Sequence, residues 1–362
     1  WKEYLFDVAF QKHVLAKAFP DYRINACLMM VDKNATCPTD GLNQKFRIIK
    51  DQEGRKSVSV SPPLTEEDLH TRLMVEVNVD DVCNDIFGQS FPAESTDVSF
   101  SQWINYLSEQ YRTDFKTSPP ISKKCSSCEF KADKLERESG KKCGFRECWK
   151  EAYNWQEQDF DKGSVLDIWR FLKRDQMIAQ GYIHIEDIDE DVISPSEDGK
   201  PGLSTKQRQC LQVQKCRDND NSLWIDRESL SEEMGNWRYP LHLIDFETSM
   251  VAIPVNRGRR PYEGIAFQFS HHTIKEDGKV EHSDEYLHVA PGDFPDYEFL
   301  RTLMTTLNGD HGSIFRYADH ENSYLNLIYH QLLEYPRDIP DRNELMAFIR
   351  SITRSTQDAA DE

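Results

Sequence analysis

The segment Leu241-His242-Leu243-Ile244-Asp245-Phe246-Glu247-Thr248 constrains the chain more than any other. Apolar residues lead into it and interleave two carboxylates, which is the pattern of a buried strand with an acidic end. Strand side chains alternate between faces, so Leu243, Asp245 and Glu247 share one side while Ile244 and Phe246 pack on the other. Ionised carboxylates held close together repel. In a dry site a hard cation such as Mg2+ or Mn2+, bound through their oxygens, relieves that repulsion. Paired ions of this kind activate water and stabilise a phosphodiester leaving group. An isolated Asp-x-Glu at a strand exit needs nothing more than solvent, so the neighbouring sequence has to decide.

Two neighbours extend the pattern. The run from Arg260 to Ser270 supplies a further strand, placed to lie beside Asp245 and Glu247. Tyr317-Ala318-Asp319-His320-Glu321 then ends a strand and opens a helix. A carboxylate there, Asp319 or Glu321, is positioned to complete a metal site, because strand ends and the helix starts that follow them meet at a sheet edge. Capping the helix is the competing use of either residue. His242, His271, His272 and His320 are candidate bases, against the ordinary structural role of a histidine within a strand. Neither a serine or cysteine triad nor a phosphate-binding glycine loop is evident.

A second constellation is the cysteine cluster: Cys125 and Cys128, then Cys143 and Cys148, with basic residues between the pairs. Thiolates bind Zn2+ tetrahedrally or hold an iron-sulfur cluster, and an x2 spacing lets two sulfurs from one turn reach the same metal. The remaining cysteines are dispersed, which suits a reducing compartment better than a disulfide framework. No apolar run approaches the ~20 residues of a bilayer span and no signal peptide is visible, so a cytoplasmic location without membrane contact is expected.

The formal net charge of -19 argues against a protein that coats nucleic acid through overall charge. Contact with a nucleic-acid backbone would then fall to a local basic strip, Arg257, Arg259 and Arg260.

Periodicity predicts a mixed α/β chain. A helix is expected over Tyr4 to Phe19, strands at Ile24 to Val31 and Phe46 to Ile49, and a helix starting at Thr65-Glu66-Glu67-Asp68 and running through Val82. Pro119 and Pro120 mark a rigid connection. Helices are expected over Val165 to Ile178 and Lys206 to Cys216, separated by the acidic stretch from Glu186 to Gly202. Three strands, Leu241 to Phe246, Ile265 to His272 and Glu285 to Val289, should form an antiparallel meander with a turn at Asp277-Gly278. Asp296 to Leu307 and Glu321 to Leu333 are helical and flank a short strand from Ser313 to Tyr317. The expected domains are 1–150, a helical linker region 151–236, and 237–362.

Leu243 to Thr248 and Arg260 to Ser270 resemble a prokaryotic family of domains of unknown function, whose hallmark is a Leu-x-Asp-Phe-Glu-Thr strand followed by an Arg-Pro-Tyr-x-x-x-x-Phe-Gln-Phe-Ser strand. That family looks like the DEDD (DnaQ-like) 3'-5' exonucleases on a ribonuclease H-like fold. The resemblance implies metal ligation by Asp245 and Glu247 and puts Glu321 at the second motif, with Asp319 competing because many DEDD enzymes carry Asp there. It also implies a third-motif aspartate, which has no match before Glu362.

The first 150 residues resemble the C-terminal part of a RecB-like PD-(D/E)XK nuclease domain, as in CRISPR-associated adaptation nucleases. This implies a substrate-side role for Gln11 within Asp7 to Gln11. It also implies a four-iron cluster on Cys125, Cys128, Cys148 and an earlier cysteine, with Cys143 extra. The acidic strand and lysine of that group would precede Trp1, so the chain reads as a piece of a longer one. The resemblance is specific at Asp7 to Gln11, the cysteine cluster and Leu243 to Ser270.

The resulting expectation is a metal-dependent nuclease acting on DNA. Asp245, Glu247 and a carboxylate from Asp319 to Glu321 would be catalytic, and Gln11, Arg259, Arg260 and Tyr262 would meet substrate. The alternative is a binding module on a nuclease fold with a cysteine metal site, gripping nucleic acid or protein without cutting.

Overall fold

Helix α1 (Lys2–Ala18) opens the chain, packing against α2 (Asp80–Phe87). Its Lys12 meets Asp80 at 2.6 Å, and Asp80 also accepts the Ala26 N–H at 2.8 Å. This computed structural model describes residues 2–93, 96–199, 202–290, 292–334 and 339–353. Strand β1 (Cys27–Val31) pairs antiparallel with β4 (Met74–Asn78), and β2 (Phe46–Lys50) with β3 (Lys56–Val60). The helix expected from Thr65 onward is not formed. Asp68 turns inward to bind Lys45, Thr39 and Thr65, and the alternating Val75, Val77 and Val79 then favour an extended chain. The hairpin β5 (Ser90–Ala93) and β6 (Thr96–Ser99) leads into α3 (Phe100–Arg112).

The chain divides into two compact units, Trp1–Trp103 with Trp237–Glu362, and Ile104–Asn236. This partition differs from the expected one, because the first break falls inside α3 rather than near residue 150. Residues 37–43 are laced to 253–259. Cys37 N–H donates to the Arg259 carbonyl and Gly258 N–H to the Cys37 carbonyl, both at 2.8 Å, and Asn43 donates to the Ile253 carbonyl at 3.0 Å. Chain-distant segments thus share one unit.

The unit Ile104–Asn236 contains α4 (Lys134–Glu138), α5 (Gly144–Tyr153), α6 (Arg174–Ala179), α7 (Glu190–Ile193), α8 (Thr205–Arg217) and α9 (Arg227–Gly235). Its core gathers Trp149, Trp155, Val165, Ile168, Phe171, Met177, Ile185 and Val213. Capping boxes at Asp133/Glu136 and Ser204/Gln207 start α4 and α8. The expected helix over Val165 to Ile178 is broken. Val165–Asp167 is a 3-10 turn, Arg170 adopts a positive φ of 49°, and the α-helix begins only at Arg174.

In the remainder of the first unit, β7 (Leu241–Met250), β8 (Gly264–Ile274) and β9 (Val280–Leu287) form an antiparallel meander. Helix α10 (Asp296–Leu307) follows, and β10 (Ile314–Phe315) then pairs parallel to β7, giving the sheet order β10-β7-β8-β9. Helices α11 (His320–Glu334) and α12 (Arg342–Ile352) complete the unit. Ile244 and Phe246 of β7 and Phe269 of β8 meet Phe299, Leu300 and Leu303 of α10, Leu325 and Ile328 of α11, and Leu345 and Ile349 of α12 in one core. Burial of each such side chain contributes about 1.5–3 kcal/mol, which fixes the face that β7 turns inward. Among the described residues, no helix is long and apolar enough to cross a membrane.

Candidate functional site

Because Ile244 and Phe246 are held in the core, Leu243, Asp245 and Glu247 are placed on the open face of β7, where all three are exposed. Asp245 pairs with Ser270 and Glu247 with Gln268 across β8, and the register shifts between Glu247 and Thr248. The bulge interrupts the regular alternation just past Glu247, and β7 runs on to Met250, so the two acids lie within the strand and not at its expected end. In the neighbouring ladder between β8 and β9, His272 pairs with His282. Their ring nitrogens lie 3.3 Å apart, and the other nitrogen of His282 is 3.1 Å from Glu285.

The two candidates near the second motif part company. Asp319 is exposed and pairs with Arg316 at 2.8 Å. Glu321 is only 4% exposed, lining a cavity of about 280 Å³ with Ile244, Ile314, Arg316 and Leu325, and its Oε2 has no hydrogen-bond partner among the described residues. Its position follows from a contact that spacing does not show: His320 Nε2 lies 3.0 Å from Thr248 Oγ1, so the first turn of α11 is tied to β7. Gly264 lets α11 approach β8, since a Cβ there would lie 2.8 Å from the Tyr324 ring. Glu321 lies in a cavity shared with the inward-facing Ile244, whereas Asp245 and Glu247 lie on the open face. Among the described residues no group of three or more His, Cys, Asp or Glu side chains is arranged to hold a metal ion.

His242 and His271 belong to the interior. Their rings stack, His242 Nδ1 is 2.9 Å from His271 Nε2, and His242 Nε2 is 2.9 Å from Asp310. Burial pushes His271 below the ordinary histidine value.

Arg259, expected to meet substrate, is instead buried at 3% exposure. Its guanidinium donates to Glu263 at 3.0 Å and lies 3.3 Å from the centroid of the Phe294 ring. The basic strip is partly neutralised as well, with Arg257 3.6 Å from Glu67 and Arg260 3.9 Å from Glu334. Tyr262 is exposed at a positive φ of 59°, its N–H bonded to the Val251 carbonyl. Gln11 is exposed on α1 and donates to Asp7 at 3.0 Å.

The same part of the unit holds an acid that sequence reading passed over. Asp296, at the start of α10, is fully buried and accepts the Ala266 N–H at 2.7 Å. Burial raises it to about 8.

In the unit Ile104–Asn236, Cys125 lies within the 3-10 turn Lys123–Ser127 and Cys128 closes it, the Cys128 N–H reaching back to the Cys125 carbonyl at 3.4 Å. The Cys148 thiol is pushed up by burial and by nearby Cys128 and Cys125. Cys143 is buried before α5, its Sγ accepting the Ala132 N–H at 3.3 Å. The four thiols are not assembled into one ligand set.

The first unit therefore carries a mixed sheet with an acidic open face and helices packed on the other face. Residues 242–361, which hold most of that sheet, match the sequence family described as Domain of unknown function (DUF2779). No curated protein and no solved structure matches the chain.

Proposed function

We propose that the chain is a metal-dependent nuclease, a 3'-5' exonuclease acting on DNA through the open face of β7. The observation that carries this reading is the pairing of Asp245 and Glu247 on one exposed face of a strand flanked by β8 and β10. Further support comes from the strand order. Three antiparallel strands with a fourth parallel to the first, on its other side, is the arrangement expected of a ribonuclease H-like domain. The buried Glu321 oxygen, without a partner among the described residues, calls for a proton or a water of its own, in a cavity apart from that open face.

The carboxylate oxygens of Asp245 and Glu247 suit a hard divalent ion. Mg2+ is commonly held by one or two carboxylates, with water and substrate phosphate oxygens completing its shell, so a preassembled three-residue site is not required. When bound, such an ion supplies Lewis acidity and an activated water. The protein's own part is to hold the two carboxylates on a rigid central strand, and to anchor the start of α11 through Thr248 and His320.

A second reading, a module that grips nucleic acid or protein without cutting, is favoured by the absence of a three-ligand group among the described residues. Incubating the protein with 5'-labelled single- and double-stranded DNA, with Mg2+, Mn2+ or a chelator, separates the two. Metal-dependent shortening from the 3' end is expected. Binding without shortening under every condition would reject the nuclease reading and favour the module.

A further inference from the structure

The nuclease reading leaves unused a cavity of about 350 Å³ inside the unit Ile104–Asn236. Three cations, Lys131, Arg137 and Arg146, and three aromatic rings, Phe145, Trp155 and Phe160, line it. Two of the cations lie over rings: Lys131 Nζ is 4.9 Å from the Phe145 centroid and Arg146 Cζ is 4.4 Å from that of Phe160. Trp155 is fixed by stacking on His184 at 4.8 Å and by the edge of Phe160 at 4.9 Å.

Little carboxylate offsets this charge. Lys131 makes no ion pair among the described residues, and Arg137 gives one N–H to the Ala132 carbonyl at 2.8 Å. Arg146 pairs with Glu157, which is 69% exposed and shared with Lys150, so that interaction is screened and costs little to exchange. The acid in the lining, Asp167, is already committed to the Ser164 N–H at 2.7 Å and its hydroxyl at 3.1 Å. Around the cavity, residues 123–150 carry nine Lys and Arg against five Asp and Glu, in a chain whose net charge is -19. The basic character is therefore local.

A purely apolar ligand would strip water from three cations without return, and a bare anion would leave the aromatic wall unused. We propose that this cavity binds a nucleotide, free or at the end of a strand. Its phosphate replaces Glu157 on Arg146 and is shared with Lys131 and Arg137, and its base packs against the aromatic wall or the Arg146 guanidinium plane. The size lies within the range of small-molecule sites. The site shares no residue with the open face of β7, so its fate is separate from the nuclease reading.

Calorimetric titration of the full chain carrying Asp245→Asn, in chelator, tests this with dAMP, deoxyadenosine, inorganic phosphate, and an oligonucleotide with or without a 5'-phosphate. Binding of dAMP or of the phosphorylated strand at least tenfold tighter than of deoxyadenosine and of phosphate is expected, and which of the two binds identifies the source. Lys131→Ala with Arg137→Ala should weaken it at least tenfold, whereas Glu157→Gln should preserve or tighten it. Equal weak binding of all probes, or binding indifferent to Lys131→Ala with Arg137→Ala, would overturn the proposal.

Discussion

Thr248 Oγ1 and His320 Nε2 lie 3.0 Å apart, joining the end of the acid-bearing strand to the first turn of the helix that carries Glu321. Removing the hydroxyl with Thr248→Val should cost about 0.5–1.5 kcal/mol of stability, read from the urea midpoint, and Thr248→Ser should recover most of it. An unchanged midpoint in Thr248→Val would show that this hydrogen bond does not hold α11 in place.

Arg259 is expected to act on stability rather than on substrate. It is buried against Glu263 and the Phe294 ring. Arg259→Ala removes the guanidinium from Glu263, which keeps the Arg260 N–H at 3.0 Å, and from the Phe294 ring. It should destabilise the fold by about 1.5–3 kcal/mol, and Arg259→Lys should restore only part of it, because an ammonium cannot reproduce the planar stack. A destabilisation below about 1 kcal/mol in Arg259→Ala would contradict the buried pairing.

Asp296 predicts a pH dependence with a definite sign. In the fold, burial raises it from 3.8 to about 8, while in the unfolded chain it ionises near its ordinary value. Between these two values the folded state binds the extra proton. The stability it contributes is therefore fully present below about pH 4 and declines as pH rises toward 8. Among the described residues Oδ2 of Asp296 has no hydrogen-bond partner. Asp296→Asn keeps the acceptor for the Ala266 N–H and adds a permanent donor, so its stability should be flatter across this window. An identical slope in wild type and Asp296→Asn would refute the assignment.

Gly312 is required by close approach. A Cβ there would lie 1.9 Å from the Pro240 carbonyl oxygen and 2.7 Å from His242 Nε2. Gly312→Ala should force the loop off β7, break the hydrogen bond between His242 and Asp310, and cost about 1–3 kcal/mol. Chemical-shift titration of the histidines together with a urea melt checks both effects.

How legible the chain is depends on what fixes each element. The strands β7 and β8 and the helices α10 and α11 are readable because one buried face imposes a period of 2 or 3.6 on the sequence. Thr65 to Asp68 imitates a helix start, but Asp68 is consumed by Lys45, Thr39 and Thr65, and the valines that follow form β4. Val165 to Ile178 is apolar enough for a helix, yet the positive φ at Arg170 interrupts it. In the candidate site, the shared face of Asp245 and Glu247 follows from alternation alone. The separation of Glu321 from Asp319, the burial of Arg259 and the raised Asp296 depend on tertiary neighbours such as Thr248, Phe294 and Ala266, which no local pattern encodes.

The most direct test of the central claim is single-turnover cleavage of 3'-ended DNA in Mg2+ or Mn2+, comparing wild type with Asp245→Asn, Glu247→Gln and Asp319→Asn, each verified as folded. Asp245→Asn and Glu247→Gln should each slow cleavage on the order of a hundredfold or more, while Asp319→Asn, altering an exposed residue paired with Arg316, should leave the rate within about twofold. Cleavage by folded Asp245→Asn at the wild-type rate would contradict the account.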